Sequence, residues 1–178
     1  RSMSDYLKSK YRSTNQVYYL RSSYLIDSVT RRCNKYQSVN FLIDESGSIQ
    51  SGNFALIKNF ITQYLTNTYD DVNLTSIHFY DTNFEDYLGF GKTKEQLIAG
   101  VNGKTFMAGG TYTGNAIRKG VNKILSANLD KGLKKILVVV TDGKSYDEVL
   151  TASNYARANS ITLIAVGIGA VVNDTQLL

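Results

Sequence analysis

The chain has 178 residues, 43% of them hydrophobic and 20% charged, the length and make-up of one globular domain able to bury a sizeable core. No apolar run approaches the about 18 residues of a membrane-spanning helix, and the single cysteine, Cys33, excludes an internal disulfide framework and a cysteine-based zinc site. The net charge of +5 is unevenly placed: residues 1–38 hold eight Lys or Arg against two Asp, a net of +6, and the remainder holds twelve against thirteen acids, a net of −1.

Residues 1–37 form a basic, Tyr-rich N-terminal extension. Tyr11, Tyr18 and Leu25 recur at seven-residue spacing, which suits a helical stripe, while Val17-Tyr18-Tyr19-Leu20 reads equally as extended. A basic aromatic segment could meet nucleic acid or an anionic surface. It carries no recognised nucleic-acid motif, so it is read as a solvated arm or a piece packed on its own domain, with no nucleic-acid partner. Cys33 is either a free thiol or half of a bridge to a cysteine outside this sequence.

Val39, Phe41, Leu42 and Ile43 predict a strand buried on both faces, ending in Asp44. Phe54, Ile57, Phe60, Ile61, Tyr64 and Leu65 recur at three- and four-residue steps, an amphipathic helix stopped by Asp70-Asp71. Val72–Tyr80 reads as a second strand and Phe84–Phe90 as a short antiparallel edge strand, with a turn at Asp81-Thr82-Asn83 between them. Thr93–Val101 is a short helix. The loop Gly109-Gly110-Thr111-Tyr112-Thr113-Gly114 opens a helix with the face Ile117, Val121, Ile124 and Leu125. Ile136–Val140 is another doubly buried strand, ending in Thr141-Asp142-Gly143. Ser145–Asn159 reads as a helix with Val149, Leu150, Tyr155 and Ala156 inward, and Ile161–Ile168 as the last strand. Strands alternating with helices at this spacing call for an α/β fold, an open and mostly parallel sheet covered on both faces.

Open α/β sheets place ligands at the carboxyl ends of their strands, at the point where strand order reverses. If the Asp44 and Asp142 strands are neighbours, both aspartates face one crevice, joined by Ser46, Ser48 and Thr111. Two carboxylates and three hydroxyls are all-oxygen ligands, suited to Mg²⁺, Mn²⁺ or Ca²⁺ and poorly suited to zinc. Five side chains and an open position favour octahedral Mg²⁺. With Asp142 binding through water the ion keeps positive charge, and a Glu or Asp of another protein becomes a strong sixth ligand. Each piece alone has a plainer reading: Asp44 and Ser46 as helix caps, Gly109-Gly110 as a loop, Asp142-Gly143 as a turn. Their joint placement at predicted strand ends favours the metal.

Asp44-Glu45-Ser46-Gly47-Ser48, Gly110-Thr111-Tyr112-Thr113 and Thr141-Asp142-Gly143 resemble, in order, the three parts of the metal-ion-dependent adhesion site of von Willebrand factor A domains, including the inserted domains of integrins. The resemblance covers residues 38–178. It implies a Rossmann-like three-layer sandwich with strand order 3-2-1-4-5, counted from the Asp44 strand, and normally a sixth strand. It also implies that Asp44, Ser46, Ser48 and Thr111 bind the ion directly, with Asp142 direct or through water. Thr111 takes this role rather than Thr113 because it follows the glycine pair. The family's closing strand and helix, which would follow Asn173–Leu178, are missing from this sequence. The Ile161–Ile168 strand is therefore expected to be a bare edge unless a partner chain covers it.

Enzymatic readings are weaker. An acid stands where a dinucleotide fingerprint needs glycine, and Gly91-Lys92-Thr93 lacks the upstream glycine of a P-loop. A phosphohydrolase using Asp44 as nucleophile wants a second acid two residues on, where Ser46 stands. His78, the only histidine, sits inside a strand. The expected function is a cation-dependent, adhesion-type protein-binding module, extracellular or on the cell surface. The alternatives are an intracellular scaffold with a structural or vestigial metal and, more remotely, a Mg²⁺-dependent phosphohydrolase. Sequons at Asn73 and Asn173 bear on the compartment.

Overall fold

A computed structural model describes residues 16–19, 37–68, 74–143 and 145–169. Its elements in chain order are β1 (Gln16–Tyr19), β2 (Gln37–Asp44), α1 (Gln50–Asn67), β3 (Ile77–Tyr80), β4 (Phe84–Leu88), α2 (Lys94–Gly103), α3 (Thr113–Ser126), β5 (Lys134–Thr141), α4 (Val149–Ala158) and β6 (Ile161–Gly167), with one turn of 3-10 helix at Gly47–Ile49. The strands form a single sheet in the order β1-β6-β5-β2-β3-β4. All neighbours are parallel except β3 and β4. Counted from β2, the last five strands have the expected order 3-2-1-4-5.

Period-two alternation divides the core into two layers. Phe41 and Ile43 of β2, with Ile136, Val138 and Val140 of β5, pack with Ile57, Ile61 and Leu65 of α1 and Leu97 and Val101 of α2. The intervening Leu42, Leu137 and Val139 pack with Ile117, Val121 and Ile124 of α3 and with Ala152 and Ala156 of α4. Each such Val, Leu, Ile or Phe side chain removed from water contributes about 1.5–3 kcal/mol before entropy is counted. The three-layer sandwich follows from this alternation, because strands apolar on both faces need a cover on each.

Four expectations are corrected. The Ile161–Ile168 strand is not a bare edge, because β1 pairs with β6 from Gln16↔Ile164 to Tyr19↔Gly167. The N-terminal extension thus contributes an extended segment at Val17–Tyr19, and over that stretch no partner chain is needed. The predicted Ser145–Asn159 helix begins only at Val149, because Ser145 and Asp147 are engaged with the start of α3, and Glu148 caps α4 by accepting from Thr151 N. On α4 it is Ala152 and Ala156 that face the core, while Leu150 is 62% exposed and Tyr155 partly exposed. Small residues let α4 approach α3 closely. Of the described residues of the predicted second strand, 74–80, only Ile77–Tyr80 are strand. Asp70-Asp71, Val72, Cys33, Asn73, Asn173 and the Asn173–Leu178 tail lie outside the described residues.

Candidate metal centre

Strand order brings the carboxyl ends of β2 and β5 together in register, Ile43 opposite Val140. Asp44 and Asp142, both buried, therefore stand side by side at the switch point. Asp44 is held from two directions: Oδ1 accepts from Ser46 N at 2.9 Å and Oδ2 accepts from Thr141 Oγ1 at 2.7 Å. Ser46 Oγ lies 3.1 Å from Ser48 Oγ, with Ser46 buried and Ser48 exposed at the crevice mouth. Gly143 closes the β5 turn at φ +85°, a conformation that costs a side chain dearly, and its N–H donates to Thr141 Oγ1.

The third segment is joined to the first by main-chain bonds. Ala108 N donates to Glu45 O at 3.1 Å and Gly47 N to Gly109 O at 2.9 Å, and Ser46 and Gly109 form a parallel bridge. This short ladder sets Thr111, itself buried, two residues beyond Gly109. Thr111 O accepts from Tyr146 N at 2.9 Å, which ties the same loop to the segment after Asp142. The first N–H groups of α3 are satisfied from that segment too: Thr113 N donates to Ser145 Oγ at 3.1 Å, and Gly114 N and Asn115 N donate to the Asp147 carboxylate at 2.8 and 2.6 Å. A carboxylate at a helix N-terminus is doubly favoured, by hydrogen bonding and by the helix dipole.

Burial raises Asp44 from 3.8 to about 6, against the pull of the Ser46 and Thr141 hydrogen bonds, and the nearby Asp142 charge adds to the rise. A divalent cation would relieve that cost. Behind the crevice Glu45 is buried with its carboxyl above the ordinary range: desolvation outweighs the hydrogen bond from Lys104. Burial pulls Lys104 down, but the hydrogen bonds it donates to Glu85 and Glu45, with their charges, outweigh that and hold it above the ordinary lysine range. Among the described residues no three Asp, Glu, His or Cys side chains converge, so hydroxyls must supply part of any ligand set here. At the rim Tyr112 and the 79% exposed Tyr146 place their rings 5.9 Å apart.

Asp44, Ser46, Ser48, Thr111 and Asp142 thus all sit on the three loops expected to converge. Hydrogen bonds link Asp44 with Ser46, Ser46 with Ser48, and Thr111's loop with the Asp44 turn. Sequence reasoning gave no role to Thr141, Glu45, Lys104 or Asp147. Thr141 was readable, as the residue that ends a buried strand beside the Asp44 strand. Lys104 was not, since its partners are remote in sequence.

A mostly parallel sheet with helices on both faces and an oxygen-lined crevice at its switch point defines a Rossmann-like α/β binding domain. Residues 38–178 match the von Willebrand factor type A domain, and the chain belongs to that family. Cochlin of Bos taurus is 35% identical over 145 residues, covering 76% of this chain and 26% of cochlin. The collagen alpha-1(XXI) chain of Homo sapiens is 34% identical over 143 residues, covering 77% of this chain and 15% of that one. The chain therefore spans well under a third of either relative. Among solved structures, proximal thread matrix protein 1 from the mussel byssus, with a zinc-occupied MIDAS motif, is 22% identical with a TM-score of 0.74, over 82% of this chain and 41% of that one. Among the described residues no helix is long and apolar enough to cross a membrane.

Proposed function

We propose that the chain is a divalent-cation-dependent protein-binding module of the extracellular matrix, which captures an acidic residue of a partner through a Mg²⁺ ion. Asp44, Ser46, Ser48 and Thr111 would hold the ion directly and Asp142 directly or through water. The ion supplies electrostatic attraction for the partner's carboxylate. The chain's own residues fix the position at which that carboxylate arrives, and Tyr112 and Tyr146 offer it exposed aromatic surface alongside.

The observation that carries this reading is the Ser46–Ser48 pair beside a buried carboxylate. Adjacent ligands of an octahedral Mg²⁺ with bonds of about 2.1 Å lie about 3 Å apart, and the two hydroxyl oxygens are separated by 3.1 Å. That one spacing supports the reading. Kinship with a collagen chain and likeness to a byssal thread matrix protein support a matrix location and a binding rather than a catalytic role. The zinc in that byssal protein makes Zn²⁺ a needed comparison.

Calorimetric titration with Mg²⁺, Mn²⁺, Ca²⁺ and Zn²⁺ tests the metal, and solid-phase binding of solubilised matrix proteins with Mg²⁺ or EDTA tests its use. The expected result is one-site Mg²⁺ binding and partner capture, both lost in Asp44→Ala and Thr111→Ala. Capture that persists unchanged in EDTA would overturn the proposal.

A further inference from the structure

Lys104 follows α2 and begins the loop that runs to Thr111. It is only 7% exposed, yet its ammonium carries two ion pairs: Glu45 Oε1 at 3.0 Å and Glu85 Oε2 at 2.5 Å. It also stands over two aromatic faces, 5.0 Å from the centre of Phe79 and 5.5 Å from that of Tyr87, a further favourable setting for a buried cation. Glu45 is 2% exposed, and its Oε2 has no hydrogen-bond partner among the described residues. Both side chains of the Glu45–Lys104 contact are thus buried, while Glu85, the outer partner, is partly exposed. Lys58 Nζ fixes the same corner by donating to Asn102 O and Lys104 O at 3.0 and 3.1 Å.

Such a pair is a poor device for stability alone, since desolvating two charges consumes most of what their attraction returns. Its placement gives it another use. Glu45 lies between Asp44 and Ser46, so its side chain reaches back from the turn bearing three of the candidate ligands. Lys104 stands at the root of the loop bearing the fourth. The loop therefore meets the turn twice: through this ion pair at its start, and through Ala108 N to Glu45 O and Gly47 N to Gly109 O nearer its end.

We propose that the Lys104–Glu45 ion pair is a positioning lock, which holds the Thr111 loop in register against the Asp44–Ser48 turn before any cation arrives. The lock stands on geometry alone. Its consequence for Mg²⁺ rests on the metal reading above. Outer contacts that orient ligands are typically worth about 10–100-fold in metal affinity, and that is the loss expected here when the lock is removed.

The test is amide hydrogen exchange of the metal-free protein, followed by Mg²⁺ calorimetry. Lys104→Met leaves Glu45 buried and unpaired, so the double variant Lys104→Met/Glu45→Gln, which removes that stray charge, guards against simple misfolding. In both variants exchange at Gly47 and Ala108 should quicken about tenfold or more while Val139 and Val140 in β5 stay protected, and Mg²⁺ affinity should fall about 10–100-fold. Glu85→Gln, which touches only the outer carboxylate, should leave both readouts near wild type. Unchanged exchange at Gly47 and Ala108 in the folded double variant would overturn the lock. A wild-type protein that binds no Mg²⁺ would overturn the metal reading instead, with the exchange result still deciding whether the lock exists.

Discussion

Thr141 Oγ1 donates a hydrogen bond of 2.7 Å to Asp44 Oδ2 across 97 residues of sequence, linking the ends of the two central strands. The same hydroxyl accepts from Gly143 N, so it sets both the orientation of the Asp44 carboxylate and the turn that carries Asp142. Asp44 is buried against β5 with its acid plane fixed by that one donor and by Ser46 N. What the crevice presents to a cation is decided here, one layer beneath the candidate ligands.

Thr141→Val keeps the shape and removes the donor. Hydrogen bonds to charged groups contribute about 1.5–3 kcal/mol, so thermal unfolding should show a loss at the lower end of that range. Mg²⁺ affinity should fall about 10–100-fold through misorientation of Asp44. Thr141→Ser, which retains the hydroxyl, should recover most of the affinity in the same titration.

The metal-free protein should carry two opposed pH dependences. Asp44 is raised to about 6 in the fold from 3.8, chiefly by burial. A raised carboxyl stabilises the fold fully below pH 3.8, and that contribution, about 3 kcal/mol at 1.36 kcal/mol per unit, is lost as pH rises through 6. His78 is lowered by burial from 6.5 to about 4. Its Nε2 lies 3.1 Å from Ser76 Oγ, and its Nδ1 is 3.2 Å from Asp86 Oδ1 but poorly aligned for a hydrogen bond. A depressed histidine stabilises above pH 6.5, and a comparable amount is lost as pH falls through 4. Denaturant titrations between pH 4 and 6 should therefore be nearly flat in wild type, rise with pH in Asp44→Asn, and fall with pH in His78→Gln. Added Mg²⁺ should stabilise wild type progressively more from pH 5 to pH 7, as the cation takes the place of the proton.

The fold was legible wherever one local pattern decided it. Asp44 stood out because a doubly buried strand ended in an acid, whereas the strand order came from the resemblance to von Willebrand factor A domains and from no local pattern. The same physics hid α4's start: Ser145 and Asp147 look helical in their own stretch, but their side chains serve α3, a remote helix no local period can report. Leu150 was misread as inward because α4 needs small residues, Ala152 and Ala156, where it nears α3. Lys104 carries no local pattern at all. Its meaning comes from Glu45 and Glu85 on two other elements.

Gly114 is where the α3 start is most constrained. A Cβ there would lie 2.2 Å from Glu148 O, a backbone atom that cannot swing aside. Gly114→Ala should push the 145–148 segment off the helix start and break the Asp147 bonds to Gly114 N and Asn115 N. A cost of about 1–3 kcal/mol is expected, as for other overpacked sites. The Tyr146 N to Thr111 O bond belongs to the same displaced segment, so Mg²⁺ affinity should drop along with the unfolding midpoint. Stability lost with affinity intact would show that the 145–148 segment does not help place Thr111.

β1 tests how the sheet ends. It satisfies the outer edge of β6 over Ile164–Gly167, and without it that row of N–H and C=O groups becomes a template for pairing with another molecule. The crevice lies at the opposite side of β5, between it and β2, so loss of β1 should spare the site. Removal of residues 1–20 should therefore leave a folded domain with Mg²⁺ affinity close to wild type. The shortened protein should also associate with rising concentration, which light scattering after size exclusion will register as a shift toward dimer. Lys substitution at Ala165, a half-buried residue of that edge outside both core layers, should return it to monomer if edge pairing drives the association. A shortened protein that stays monomeric throughout would mean that β6 protects its edge by other means, and that β1 is dispensable to the sheet.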